Sequence, residues 1–111
     1  MTVQQIATTL GFEILSGEES LSRSVEGIYC CDLLSFVMGR APADFAWLTV
    51  MGNINAAAVA SLADVACVVL VDGVLPDAPM LEKAQQQDIA VLAAPGPAFE
   101  TGLAIDQLLE A

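Results

Sequence analysis

Five residues of this 111-residue chain have the types and placement to do chemistry at a binding site: Asp32, Gly52, Asn53, Asn55 and Asp72. Each follows an apolar run that reads as a strand. Gly52-Asn53-Ile54-Asn55 stands between the run 46–51 and the small-residue segment 56–63. A glycine there lets another group come close. Asn53 or Asn55 can cap the following helix while its other first-turn amides stay free for a ligand. Asparagine at a helix start also serves stability alone, and no phosphate fingerprint accompanies it: there is no Gly-x-Gly-x-x-Gly and no Gly-Lys-Ser/Thr run. Asp32 and Asp72, brought to one sheet edge, would make a carboxylate pair suited to Mg²⁺ or to acid–base work. Local chemistry favours simpler roles, with Asp32 as a helix N-cap and Asp72 as the first residue of an Asp-Gly turn.

The other reactive groups have no partners. Cys31 or a serine as nucleophile would need a base, and the chain has no histidine. A metal site would need several good ligands. Cys30 and Cys31 are adjacent, and no Cys-x-x-Cys occurs, so neither metal nor cofactor is expected. No catalytic residue is assigned. Neighbouring cysteines are too constrained to pair comfortably, and Cys67 lies in an apolar run, so the three thiols fit a reducing cytoplasm.

The elements that must position these residues follow from the hydrophobic pattern. Val3, Ile6, Ala7 and Leu10 repeat at helical spacing, with Gly11 as the stop. Residues 12–15 and 25–30 read as strands around a polar loop, 16–24, and Gly27 is a soft spot in the second. Leu33, Leu34, Val37 and Met38 form an apolar stripe that Gly39 should end, with Pro42 beyond. Residues 46–51, 66–71 and 89–93 are apolar strands. Residues 56–63, 77–87 and 98–109 are helices, the second capped by Asp77 with Leu81 and Ala84 inward, the last with Phe99, Leu103 and Leu108 on its apolar side. No internal repeat is evident. Continuous apolar strands alternating with helices predict an α/β fold: a three-layer α/β/α sandwich with a mostly parallel sheet of four to five strands, as one domain over 1–111. Right-handed crossovers then gather the strand-to-helix loops, at Asp32, at 52–55, at Asp72-Gly73 and at Pro95-Gly96-Pro97, on one edge.

Composition narrows the partners. Fourteen acids against Arg23, Arg40 and Lys83 give a net charge of −11, which argues against nucleic acid and anionic membrane surfaces. Residues 45–63 carry no charge over 19 positions, close to a membrane span, but Gly52, Asn53 and Asn55 in the middle favour a strand, a turn and a helix. Hydrophobic residues make up 56% and charged ones 15%, an apolar excess for a short chain. Burial against a second copy would relieve it, so a homodimer is expected.

The run Val25-Glu26-Gly27-Ile28-Tyr29 with Asp32-Leu33-Leu34-Ser35-Phe36-Val37-Met38-Gly39 resembles the DRTGG domain family. Trp47-Leu48-Thr49-Val50, Ile54-Asn55-Ala56-Ala57-Ala58-Val59-Ala60, Asp64-Val65-Ala66-Cys67 and Leu81-Glu82-Lys83-Ala84 continue it. The resemblance implies a regulatory module, not a catalytic unit. Similar domains sit beside CBS domains in pyrophosphatases and precede the catalytic part of phosphotransacetylases, dimers recur, and stand-alone copies occur near hydrogenase and signalling genes. It thus implies a ligand-sensing homodimer for a nucleotide or metabolite, or else a protein-interaction subunit of a redox-linked system. An enzyme is the weakest reading. The chain departs from the family where Asn53-Ile54-Asn55 replaces the Asp-Arg pair after the strand, so an anion role for that arginine does not carry over.

Overall fold

From residue 13 onward strand and helix alternate, and the run of apolar strands determines how they stack. A computed structural model describes residues 1–111. Helix α1 (Val3–Leu10) opens on a capping box in which the Thr2 hydroxyl and the Gln5 side chain satisfy each other's backbone amides, and it closes on Gly11 in the left-handed region. Strand β1 (Glu13–Ser16) and a 3₁₀ turn (Glu18–Ser20) follow. Then come β2 (Gly27–Cys30), α2 (Leu34–Arg40), β3 (Phe45–Thr49), α3 (Ile54–Ala63), β4 (Cys67–Leu70), α4 (Ala78–Gln86), β5 (Val91–Ala93) and α5 (Ala98–Glu110).

The five strands form one sheet in the order β1-β5-β4-β3-β2. Strands β2 to β5 run parallel, and β1 pairs antiparallel to β5 with a register shift between Ile14 and Ser16. Every residue of β4, Cys-Val-Val-Leu, is buried, because helices cover both faces of this central strand. One layer of core joins α1 and α5 to the sheet through Ile6, Leu48, Val69, Leu92 and Ile105. The other joins α2, α3 and α4 through Val37, Trp47, Val68, Leu70 and Met80. This is the expected α/β/α sandwich. The 45–63 stretch is β3 and the ten-residue α3, and no helix is long and apolar enough to cross a membrane.

Several expectations need correction. Gly39 lies inside α2, which runs on to Arg40 and ends on extended Ala41. Of the α2 stripe only Val37 is fully buried, while Leu33 and Met38 are exposed. In α4 the inward residues are Met80 and Ala84, with Leu81 half-buried. In α5 the inward residues are Thr101, Gly102 and Ile105, whereas Phe99 and Leu103 are 73% and 45% exposed. Gly102 faces β2 and β3, where a Cβ would stand in ordinary contact with Leu48, Cys30 and Ile28.

A three-residue return recurs where no repeat was evident. Asp44-Phe45-Ala46, Asp64-Val65-Ala66 and Asp88-Ile89-Ala90 each end a helical crossover and lead into the next strand, and each Asp has positive φ (65°, 57° and 54°). Aspartate tolerates that conformation better than most side chains, which lets it stand where glycine is the usual choice. The three align along the amino edge of the sheet. Arg23 ties two of them, at 2.6 Å to the Asp44 carboxylate and 3.1 Å to that of Asp64. Ser20 donates its hydroxyl to the Asp88 carbonyl.

Candidate functional site

At the opposite, carboxyl edge the four loops join into one rim through hydrogen bonds between neighbours. The first bond starts at Asp32, which is not an N-cap: α2 begins after Leu33 with no side-chain cap. The Asp32 carboxylate instead reaches across to the next loop, accepting from the Thr49 hydroxyl at 2.8 Å and the Val50 amide at 3.0 Å. The same hydroxyl accepts from the Met51 amide at 3.2 Å. Thr49 is thereby the organising residue of the β3–α3 loop, buried at the end of Ala-Trp-Leu-Thr. Only a lone hydroxyl closing an apolar strand marked it in the sequence.

The second connection runs through Gly52. Its carbonyl accepts from the Asp77 amide at 2.8 Å. A Cβ on Gly52 would lie 2.7 Å from the Leu75 carbonyl oxygen. The close approach that this glycine permits is therefore to the β4–α4 loop, not to open space. The third connection is the Asp72 amide donating to the Gly96 carbonyl at 2.8 Å. Asp72 sits at φ 58° ahead of Gly73, as expected of an Asp-Gly turn.

Asn53 caps α3 as expected, its side-chain oxygen accepting from the Asn55 and Ala56 amides at 3.0 and 3.3 Å. Asn55 occupies the first turn and is exposed. The rim thus brings Asp32, Gly52 and Asn53 together through the β3–α3 loop. It does not bring Asp32 to Asp72: β3 lies between β2 and β4, two strand spacings or about 9.5 Å. A shared cation or a carboxylate dyad needs shorter reach, and one Asp32 oxygen already serves Thr49 and Val50.

The rim's charge has one sign. Asp32, Asp72 and Asp77 lie on it. All three basic residues lie away from it. Arg23 is bound to the amino edge. Arg40 ends α2, far from that helix's rim end, with its guanidinium 3.9 Å from the centroid of the Phe36 ring. Lys83 is in the last turn of α4. Apolar side chains fill in between: Leu33, Val50, Ile54 and Leu75 are all exposed. A shallow cavity of about 240 Å³ opens beside Gly73, lined by Gly11, Glu13, Ala93, Ala94 and Pro95. The largest cavity, about 530 Å³, is elsewhere, between the 3₁₀ turn and the end of α4, with Glu18, Glu19 and Asp88 on its walls.

The thiols are held protonated where shifts arise. Burial, with the Asp32 charge behind it, pushes the Cys30 thiol up. Burial pushes Cys67 up to about 12, against a small opposing effect of Arg23. Both shifts reduce the thiolate that a nucleophile requires. Cys31 turns its Sγ toward the Leu33 carbonyl at 3.6 Å. No group of three or more Cys, Asp or Glu side chains is placed to hold a metal ion.

No described protein family matches the chain by sequence, and no curated protein does. Its fold does have a solved counterpart. The chain is similar to the CBS and DRTGG domains of the regulatory region of Clostridium perfringens pyrophosphatase, a structure solved with the activator diadenosine tetraphosphate. The TM-score is 0.78 at 16% identity, over 96% of this chain and 46% of that one, so the chain spans about half the length of that structure and has a DRTGG-like fold.

Proposed function

We propose that the chain is a single, non-catalytic regulatory domain of the DRTGG type, acting as a homodimer in the cytoplasm and responding to a ligand at its carboxyl rim. The observation that carries the regulatory part of this reading is the likeness in fold, over 96% of the chain, to the regulatory region of a pyrophosphatase. Asp32, Gly52, Asn53, Asn55 and Asp72 are its candidate ligand residues. Their roles differ: Asp32 and Gly52 build the rim, Asn53 orients it, and Asn55 and Asp72 present unengaged side chains. A rim carrying three aspartates and no cation disfavours polyphosphates, since no charge-assisted partner awaits the phosphates. A neutral or cationic metabolite, including a nucleoside, fits better.

Thermal unfolding of the full chain with nucleosides, neutral and cationic metabolites, and diadenosine tetraphosphate tests this. A ligand present at 100 times its dissociation constant stabilises by about 2.7 kcal/mol. The expected result is a rise in Tm with one of the first three classes, lost in Asn55→Ala with Asp72→Ala. No shift with any compound overturns the ligand-sensing assignment, and a shift with diadenosine tetraphosphate alone overturns the preference for neutral or cationic ligands. A second reading, a protein-interaction subunit, is favoured by exposed Leu33, Val50, Ile54 and Leu75 on the rim. Under that reading Val50→Lys and Leu75→Lys abolish partner binding, and no metabolite shifts Tm.

A further inference from the structure

The two edges of the sheet are unlike. Strand β1 closes one edge and carries the devices that keep an edge from pairing. It begins with Glu13, its ladder shifts register between Ile14 and Ser16, and the chain leaves it into a 3₁₀ turn. Strand β2 closes the other edge with none of them. Gly27-Ile28-Tyr29-Cys30 has no charge, no proline and an unbroken parallel register to β3. The Cys31 amide donates inward to the Leu48 carbonyl. Backbone direction alternates along a strand, so the N–H and C=O groups of Ile28 and Cys30 point to the open side.

Both layers beside this edge are apolar and exposed. On one face α5 meets β2, and a groove of about 270 Å³ opens between them, lined by Ile28, Cys30, Phe99, Gly102, Leu103 and Asp106. On the other face α2 is the outermost helix, next to α3, and exposes Phe36 and Met38.

We infer that β2 is the seam of a two-fold dimer, in which the β2 strands of two copies pair antiparallel and join two five-stranded sheets into one. This rests on the homodimer reading and adds where its interface lies. Antiparallel pairing of identical strands is self-complementary: the free groups of Ile28 and Cys30 in one copy meet the same kind in the other. The two-fold axis then stands perpendicular to the sheet, which sets α5 against α5 and α2 against α2, each pair antiparallel. Charge favours the same occupant. Helix α2 starts beside Asp32 and ends on Arg40, so an antiparallel α2 pair brings Arg40 of each copy toward Asp32 of the other. Arg40 makes no ion pair within its own chain, and only one Asp32 oxygen is engaged at home. Phe99 and Leu103 pack across the axis on the opposite face.

Light scattering on the full chain, combined with amide hydrogen exchange, tests this. The expected mass is twice 11.5 kDa, with slow exchange at Ile28 and Cys30. Phe99→Glu is expected to weaken the dimer roughly 30-fold or more, as for a central apolar anchor. Cys30→Pro removes an outward N–H, which the home sheet does not use, and is expected to give a folded monomer by circular dichroism. Arg40→Glu weakens the dimer, and Arg40→Glu with Asp32→Arg restores it in part. Leu62→Glu, on the exposed side of α3, leaves it intact. A wild-type monomer at high micromolar concentration overturns the dimer and the seam together. A dimer that survives Phe99→Glu and Cys30→Pro, with fast exchange at Ile28 and Cys30, overturns the seam and leaves the homodimer standing. Ligand-induced stabilisation is measured separately, so the regulatory reading stands or falls on its own.

Discussion

Cys67 is the titratable residue most removed from water. It sits in the central strand, with helices on both faces, and its thiol is pushed up to about 12 by burial. A raised pKa means that the native state keeps the proton longer than the unfolded chain does, whose thiol ionises near 9. The stability tied to this group is fully present below pH 9 and is lost as pH rises toward 12, by up to about 1.4 kcal/mol per pH unit. Urea midpoints measured from pH 8 to 11 should fall in the wild type and fall less steeply in Cys67→Ala. Equal slopes would mean that the thiol is not what ionises on unfolding. The apolar run around Cys67 made its burial legible in the sequence. The target of Asp32 was not legible. A carboxylate one residue before an apolar helical stripe fits an N-cap, and only the fold places Thr49, 17 positions later, within its reach. Asn53 was legible because its partners, Asn55 and Ala56, are its near neighbours in the chain.

Among the elements, loops that the sequence presents as four separate turns act as one. The Asp32 bonds to Thr49 and Val50 are the first join, and their removal should cost about 1–2 kcal/mol. Asp32→Ala and Thr49→Val are expected to be non-additive, because each removes the same bond. Additive losses in chemical denaturation would show that the two side chains act independently. Strand and helix identities were legible from apolar continuity and local stops. Their exact ends were not, because long-range packing sets them. Gly39 continues a helix where a stop was expected, since Val37 and Leu34 keep that turn docked while Gly39 itself faces open space. Phe99 and Leu103 misled for a related reason. Helical spacing gives an apolar side of α5, but the face that meets β2 and β3 is the one carrying Gly102 and Ile105, which leaves Phe99 and Leu103 outside.

For the molecule as a whole, charge is far from balanced. Fourteen acids face three bases, and the ion pairs present both belong to Arg23. Repulsion among unpaired carboxylates acts over about a Debye length, roughly 30 Å at 0.01 M salt, which is comparable to the molecular extents of 34 × 26 × 23 Å. Sodium chloride raised from about 10 mM to about 0.5 M should therefore increase Tm. A decrease would mean that the Arg23 pairs outweigh the repulsion.

The pairing of β1 with β5 also has a consequence for how the chain is made. Strands β2, β3 and β4 can zip together as each crossover leaves the ribosome, because every new strand finds its neighbour already there. Strand β1 is synthesised first but joins Glu13 to Ala93, at the far end of the sequence. Closing a loop of that length costs about 4 kcal/mol in chain entropy beyond a constant. Strand β1 must therefore wait unpaired until residues 91–93 emerge, while residues 1–4 already have partners at 21–25. The earliest strand of this sheet is among the last to take its place, and a nascent chain stalled before residue 90 would carry a sheet with β4, its most apolar strand, as a bare edge.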